Sequence, residues 1–260
     1  MKKLFLIFLF LTYISEANEI SKWSIADIYS MAQQSTISNL SYPIYHQTLK
    51  EDKWVSITTA WNTFIDATVD EKNNYIYILD EGTGGGSFST QAAMWRDDTG
   101  DLLLIVSENG YNVAFPERSF LKAFRYMPIS ADTTPLGIRL VSPPIQNISL
   151  LDFMPKDMNI KDLHMLRQVS TTIFYKLPRN GTSIHVLLIV EDEFQNVSIL
   201  EKCYYDKKTC REKREIYHNY YQNLKGKIYR DIELEWKEYR FTIKKKSRKE
   251  PIVENVWSDK

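Results

Sequence analysis

The sequence predicts a β-rich α+β fold, in which antiparallel meander and hairpin sheets are accompanied by two or three short helices. Three observations favour this class. Residues 75–108 read as three strands joined by glycine-containing turns. Asn180-Gly181 joins two runs rich in Thr, Ile, Phe and Val, which is typical of a tight hairpin. Residues 228–236 alternate between mostly apolar and mostly acidic side chains, as in a strand with one solvated face.

Residues 1–17 have the features of a secretory signal peptide. A positively charged start is followed by an apolar run over residues 4–14, and small residues at −3 and −1 predict cleavage after Ala17. About 11 apolar residues are too few to span about 30 Å of hydrocarbon, which argues against a membrane anchor. We therefore expect an exported, soluble chain that is periplasmic or secreted and does not span a membrane.

Charge and composition narrow the function classes. Lys and Arg together number 33, as do Asp and Glu, and 43% of the residues are hydrophobic. Removal of the signal peptide takes away Lys2, Lys3 and Glu16, so the formal net charge changes from +0 to about −1. A near-neutral chain has no global field that attracts polyanions, so a dedicated nucleic-acid-binding protein is not expected.

The N-terminal part of the mature chain predicts one helix followed by strands. Ser24 and Asp27 form a capping-box pattern, so we expect a helix over residues 25–34. Residues 54–58 alternate in polarity and predict an edge strand. Residues 64–69 and 75–79 flank five polar residues, which is a suitable length for a hairpin loop.

The central meander is predicted at residues 75–79, 88–95 and 101–107, paired in that order. The first connection contains four of the nine glycines, and glycine tolerates the positive φ that a chain reversal needs. Residues 97–100 end in glycine, as does a type I turn that closes into a bulge. Glu108-Asn109-Gly110 predicts a further turn before the next strand.

The C-terminal half predicts further strands and a helix. Residues 121–126 and 137–141 predict strands, and the prolines at 143–155 mark a boundary between two lobes. Asn159 predicts a helix start, and residues 169–177 and 182–190 predict a hairpin. The last hairpin is predicted at 228–236 and 239–244. The exported globular region is thus placed at 18–244 and a charged C-terminal tail at 245–260.

The glycine loop contains the candidate ligand-binding residues Gly84, Gly85, Gly86 and Ser87. Successive backbone N–H groups in such a loop can bind an anion. A P-loop also needs a Gly-Lys-Ser/Thr sequence followed by a helix, whereas Ser87 is followed by Phe88 and a period-two pattern. We therefore expect a plain turn here, with a substrate-binding loop at the sheet rim as the alternative.

Acidic residues occur in three clusters that support one alternative function. The clusters are Asp80 and Glu81; Asp97, Asp98 and Asp101; and Glu191, Asp192 and Glu193. Two carboxylates about 5–10 Å apart can hydrolyse a glycoside, but the first two clusters lie at opposite ends of one predicted strand. Turn chemistry accounts for each cluster, so no catalytic residue is assigned.

The histidines and the basic run give no site of their own. The histidines at 46, 164, 185 and 218 lack the spacing of a zinc motif, so neither a metal nor a cofactor is predicted. His185 falls inside a predicted strand, where we expect a hydrogen-bonded structural role. Residues 244–249 hold five basic side chains. Such a run either forms a charged tail that increases solubility or binds an anionic surface.

The two cysteines, Cys203 and Cys210, predict a disulfide. An even number of cysteines in an exported chain favours pairing. Thr209 and Glu212 form a T-x-x-E pattern, which places Cys210 at the first position of a helix. The closed loop is short, so about 2–3 kcal/mol is the largest stabilisation expected. Two free thiols and a zinc site are the alternatives.

Two functions fit these observations. The first is a non-enzymatic binding or interaction protein of the cell envelope or extracellular space, with a protein or glycan as its partner. The second is a secreted hydrolase that acts on a glycan or peptide through dispersed carboxylates. Two carboxylates of raised pKa in one pocket would favour the hydrolase, whereas an exposed aromatic patch would favour the binding protein.

Overall fold

The structure is a computed structural model, and it describes residues 23–35, 40–48, 52–58, 63–81, 86–96, 101–112, 115–126, 137–169, 171–190 and 207–250. These residues form twelve strands and three α-helices. The strands build two antiparallel sheets, one of eight strands and one of four. The predicted β-rich α+β class is therefore confirmed.

The eight-stranded sheet is a meander of consecutive strands. Its members are β1 (Ile44–Gln47), β2 (Lys53–Ile57), β3 (Phe64–Asp70), β4 (Tyr75–Asp80), β5 (Gly86–Arg96), β6 (Leu102–Asn112), β7 (Phe115–Tyr126) and β8 (Ile138–Val141). They are hydrogen-bonded in the order β1 to β8, so neighbours in the sheet are also neighbours in the sequence. The predicted meander of residues 75–79, 88–95 and 101–107 is confirmed as β4, β5 and β6.

Helix α1 (Ile25–Gln34) packs its apolar face on this sheet. Ser24 Oγ accepts a hydrogen bond from the Asp27 backbone N–H at 3.2 Å, and the Asp27 carboxylate accepts one from the Ser24 N–H at 2.9 Å. This confirms the predicted capping box and helix. The apolar cluster under α1 uses alternate residues of three strands, because every second side chain points to the same face. These residues are Ile76, Ile78, Ala92, Met94, Leu102, Leu104 and Val106.

The four-stranded sheet consists of two hairpins. Its strands are β9 (Thr171–Lys176), β10 (Ile184–Val190), β11 (Asp231–Lys237) and β12 (Arg240–Ser247). Their order is β12-β11-β10-β9, with β9 paired to β10 and β11 paired to β12. Both predicted hairpins are confirmed. Along β11, Ile232 and Leu234 are buried while Asp231, Glu233 and Glu235 are partly exposed, as the alternation predicts.

Two helices accompany the four-stranded sheet in the chain, α2 (Ile160–Gln168) and α3 (Lys207–Asn223), and they contact each other. Asn159 caps α2 by accepting a hydrogen bond from the Asp162 N–H at 2.8 Å, as predicted. The predicted capping role of Thr209 is wrong, because α3 begins at Lys207 and already includes Thr209 and Cys210.

Three local predictions are wrong because tertiary pairing overrides local sequence preference. The strand predicted at 54–58 as an edge is β2, which lies between β1 and β3. Glu108-Asn109-Gly110 is not a turn, because β6 continues through it to Asn112. The last strand does not end at residue 244: β12 continues to Ser247, whose carbonyl accepts a hydrogen bond from the Arg230 N–H at 2.7 Å.

The described residues divide between two compact units. The first contains those within Met1–Ile78, Thr90–Val106 and Lys122–Pro143, and the second contains those within Leu79–Ser89, Ser107–Leu121 and Pro144–Lys260. Strands β4 to β7 contribute to both units. The division is therefore not a single cut at the prolines, although its last boundary falls between Pro143 and Pro144.

Candidate binding surface

The predicted ligand-binding loop leads directly into strand β5. Gly84 and Gly85 lie outside the described residues, whereas Gly86 is the first residue of β5 and Ser87 the second. A phosphate-binding loop needs a helix at this point, because the N-terminal N–H groups of that helix hold the anion. A strand occupies the position instead. The ligand-binding role of these four residues stays a prediction.

Beyond this loop, three neighbouring strands share a buried polar face. Ser89, Ser107 and Asn109 are at most 3% exposed. The Asn109 amide donates to Ser107 Oγ at 3.2 Å and accepts from Ser119 Oγ at 2.7 Å, and Ser107 Oγ donates to the Tyr175 carbonyl at 2.8 Å. Ser89 Oγ has no hydrogen-bond partner within the described part of the chain. The bonded ladder holds β6 to β7 and to β9.

The opposite face of the same strands carries exposed aromatic rings. Since side chains alternate along a strand, Phe88, Gly110 and Phe120 point away from the polar face. Phe88 is 40% exposed and Phe120 is 51% exposed. The Phe88 ring covers Gly110 so closely that a Cβ atom at Gly110 would lie 2.6 Å from Phe88 Cε1. We call Phe88, Gly110 and Phe120 the aromatic strip.

Contacts on both faces of β6 explain why Asn109-Gly110 forms part of a strand and not a β-turn. Asn109 is held by side chains on one face of β6, and Gly110 provides the space for the Phe88 ring on the other. An aromatic ring that covers a strand glycine replaces the missing side-chain packing. The sequence contains all three residues, but their proximity depends on the strand register, which a single sequence does not specify.

His185 forms the second chemically distinctive group. Its Nδ1 lies 3.0 Å from both carboxylate oxygens of Asp231, on the neighbouring strand. This hydrogen bond raises the pKa of His185, burial opposes the rise, and the negative charges of Asp231 and Glu233 add to it while Lys176 lowers it. The predicted hydrogen-bonded position of His185 within a strand is confirmed.

The same face of the four-stranded sheet carries a further charge pair. Lys244 Nζ lies 2.8 Å from Glu233 Oε1. Hydrogen bonds from Lys244 and Ser183 hold the pKa of Glu233 below its usual value. A catalytic acid instead needs a raised pKa. Glu233 therefore has the electrostatics of a cross-strand ion pair.

A buried arginine lies just before β11. Arg230 is 1% exposed, and its Nε donates to the Leu188 carbonyl and its Nη1 to the Tyr220 hydroxyl, both at 2.9 Å. Glu250 Oε1 lies 3.9 Å from Arg230 Nη1 and Glu250 Oε2 lies 3.3 Å from Lys225 Nζ. These contacts tie the residues after β12 to the body of the second unit.

The predicted disulfide and most of the acidic clusters include residues outside those that the structure describes. Cys203 lies outside the described residues, so the disulfide with Cys210 stays a prediction. Asp97, Asp98 and residues 191–193 also lie outside them, while Asp101 lies 4.0 Å from Arg125. Within the described part of the chain, no cluster of three His, Cys, Asp or Glu residues is arranged to hold a metal ion. None of the helices described is both long enough and apolar enough to cross a lipid bilayer.

No protein-family model, no curated protein and no solved structure matches the chain. The aromatic strip and the charged groups of the four-stranded sheet are therefore the features of the molecule that bear on its function.

Proposed function

We propose that the protein is an exported, non-enzymatic binding protein that recognises a glycan of the cell envelope or extracellular space through the aromatic strip. The signal-peptide pattern of residues 1–17 supports export. The strip supports binding, since it places two exposed rings on a hydrogen-bonded sheet whose other face is fixed by a polar ladder. This is the first of the two functions that the sequence predicts.

The main support for glycan binding is the exposure of the Phe88 and Phe120 rings. Single exposed apolar side chains are common on protein surfaces. Here two phenyl rings, 40% and 51% exposed, share one face of neighbouring strands and flank the strand that contains Gly110. Full burial of a phenylalanine is favourable by about 1.5–3 kcal/mol, so a ligand that covers the remaining exposed half of both rings gains roughly 1–3 kcal/mol. Patches of this kind mark interaction sites.

The shape and chemistry of the strip favour a glycan over other ligands. A pyranose ring has one face of C–H groups, which stacks on a phenyl ring, and a rim of hydroxyls. Gly110 lets the Phe88 ring lie close against β6, the strand between β5 and β7.

The hydrolase alternative has less support. It requires a carboxyl group that stays protonated near neutral pH, which means a raised pKa. The Glu233 carboxyl has a lowered pKa because it is paired with Lys244. Asp80 and Glu81 lie at the end of β4, and the clusters that would complete a catalytic pair lie largely outside the described residues.

The test is a comparison of glycan binding by the mature chain, residues 18–260, and by strip variants. We expect wild type to bind at least one oligosaccharide on a glycan array, with affinity then measured by calorimetry. The double variant Phe88→Ala/Phe120→Ala removes both rings and is expected to weaken binding about tenfold or more. Phe64→Ala is the matched control, because Phe64 is a 58% exposed phenylalanine outside the strip.

The outcomes separate the alternatives. An equal loss of affinity in Phe64→Ala, or no bound glycan at all, contradicts the proposal. Release of new reducing ends from the bound glycan supports the hydrolase instead. Binding that is lost in the double variant while circular dichroism and Tm stay close to wild type supports a direct role for the rings.

A further inference from the structure

The tip of the β11–β12 hairpin has an unfavourable backbone conformation. Glu238 has φ of 49° and Tyr239 has φ of 64°. Two-residue hairpin turns with positive φ at both positions are normally built from Asn and Gly, which adopt this conformation readily. A positive φ is a genuine outlier for a bulky residue such as tyrosine. Local sequence preference therefore does not explain why Tyr239 is here.

The residues that flank the turn add a second unfavourable feature. Lys237 and Arg240 are direct cross-strand partners, and like charges directly opposite each other destabilise a sheet. Both side chains are exposed, and neither forms an ion pair within the described part of the chain. The hairpin tip thus carries two cations, Lys237 and Arg240, and Tyr239, which is 49% exposed.

The base of the hairpin is rigid, so the tip is held in place. The rings of Trp236 and Phe241 lie 4.9 Å apart at an interplanar angle of 61°, which is a favourable edge-to-face arrangement. Phe241 is 1% exposed, and its N–H donates to the Pro144 carbonyl at 2.7 Å. Strain that persists on a rigid base is typical of functional sites.

We propose that residues 237–240 form a second binding site, specific for an acidic polysaccharide. The Arg240 guanidinium matches a carboxylate or sulfate through two parallel N–H groups, and Lys237 adds a second positive charge. The Tyr239 ring stacks on the C–H face of a sugar unit and its hydroxyl bonds to the rim. Glu238 accepts hydrogen bonds from sugar hydroxyls and leaves the tip with a net positive charge.

Further cations follow Arg240 along β12, so a polymer can contact more of them than a single acidic sugar can. The basic run of residues 244–249 follows Arg240, and its members Lys245 and Lys249 are exposed. Lys244 is already paired with Glu233. At about 3.4 Å per residue, Arg240 and Lys245 lie roughly 17 Å apart, a distance that several units of an extended polymer span. Because Lys245 lies directly opposite Glu233, the positive charge of the site is concentrated at the tip.

This site shares no residue with the aromatic strip, so either proposal can fail without the other. The probe is polygalacturonate, a carboxylated polysaccharide, and neutral dextran of similar length is the reference polymer. Lys237→Gln/Arg240→Gln removes both cations, whereas Lys161→Gln/Lys227→Gln removes two exposed cations elsewhere in the second unit. At low salt we expect the first pair to weaken polygalacturonate binding about tenfold or more and the control pair less than about twofold.

A second variant tests the role of the strain. Tyr239→Gly places glycine where φ is positive, so we expect Tm to rise by about 2–4 °C while polygalacturonate affinity falls about threefold or more. A stabilised protein with unchanged affinity would overturn the role of Tyr239, and an unchanged or lower Tm would overturn the premise of strain.

Two further probes test whether residues 237–240 bind a ligand other than a polysaccharide. Phosphatidylglycerol vesicles represent an anionic membrane, and polyglutamate represents an acidic protein segment. Tighter binding of either probe than of polygalacturonate, or equal losses in the two charge-removal pairs, overturns the assignment to a polysaccharide. Absence of polygalacturonate binding by wild type overturns it as well.

Discussion

The hairpins β3–β4 and β11–β12 make their turns in opposite ways. In the first, the Asp70 carboxylate accepts a hydrogen bond from the Asn73 N–H at 3.1 Å, and the residue with positive φ is Asn74. Asparagine tolerates this conformation better than most residues do. In the second, the positive φ angles fall on Glu238 and Tyr239. Local sequence suffices for the first turn, whereas the second depends on contacts made elsewhere.

Those contacts reach far along the chain. Arg230, just before β11, bonds to the Leu188 carbonyl and the Tyr220 hydroxyl, and Glu250 approaches it from beyond β12. The Lys246 ammonium also donates to the Asp152 carbonyl. The comparison shows that a hairpin with unfavourable local chemistry persists where long-range contacts fix both of its strands. If so, changes in those contacts have larger effects than changes in either turn.

The largest expected effect is at Arg230. Arg230→Ala removes the side-chain donor to the buried Leu188 carbonyl, a bond to the Tyr220 hydroxyl and one of the two cations near Glu250, so we expect a loss of about 3–5 kcal/mol in the free energy of unfolding. Tyr220→Phe removes only one hydroxyl and is expected to lose about 1 kcal/mol. Urea unfolding followed by circular dichroism measures both. If Arg230→Ala loses no more than Tyr220→Phe, the long-range explanation of the second hairpin is wrong.

A smaller effect is expected when the two turns receive the same substitution. Tyr239→Gly relieves a bulky residue of positive φ, and we expect it to raise the free energy of unfolding by about 0.5–1 kcal/mol. Asn74→Gly starts from a residue already suited to this conformation, so its effect should be about half as large or less. Equal changes in the two variants would show that Tyr239 is not more strained than Asn74, and the contrast between the turns would be lost.

The parts of the fold that local chemistry determines could be predicted from the sequence. The capping box at Ser24, the cap at Asn159 and the alternation along β11 each depend on residues close together in the chain. The meander followed from the same information, since consecutive strands pair with their neighbours. Such features need no knowledge of which distant residues meet.

The candidate sites could not be predicted in the same way. Glu108-Asn109-Gly110 has strong turn propensity, but the bonds of Asn109 and the ring over Gly110 keep it in a strand. Arg230 can be buried among apolar residues because its guanidinium donates hydrogen bonds to the Leu188 carbonyl on β10 and the Tyr220 hydroxyl on α3. The Asn109 partner Ser119 and the Arg230 partner Tyr220 each lie 10 positions away in the chain. The turn of the last hairpin was predicted one residue too early, at residues 237–238, because Glu238-Tyr239 has no turn signature and its positive φ angles are not expected for these residues.

The smallest expected effect comes from His185, which links β10 to the second hairpin. The groups that face it are Lys176 on β9, Asp231 and Glu233 on β11, and Lys244, which is paired with Glu233 on β12. The hydrogen bond to Asp231 raises the pKa of His185 above its ordinary value of 6.5. A raised pKa means that the folded state binds the proton more tightly than the unfolded state. The contribution is therefore complete below about pH 6.5 and is lost as the pH rises through the folded pKa.

This contribution is expected to be about 0.5 kcal/mol, because the His185 side chain is 43% exposed and water screens its pair with Asp231. The measurement is the urea midpoint of wild type and His185→Gln at about pH 5.5 and pH 8.5. We expect the advantage of wild type over the variant to be larger at the lower pH. His164→Gln is the control, since His164 contacts Gln168 at 3.4 Å rather than a carboxylate. Its difference from wild type should not depend on pH in the same direction. If the wild-type advantage at His185 instead grows with pH, Asp231 does not stabilise the protonated ring, and this pair does not hold β10 to the second hairpin.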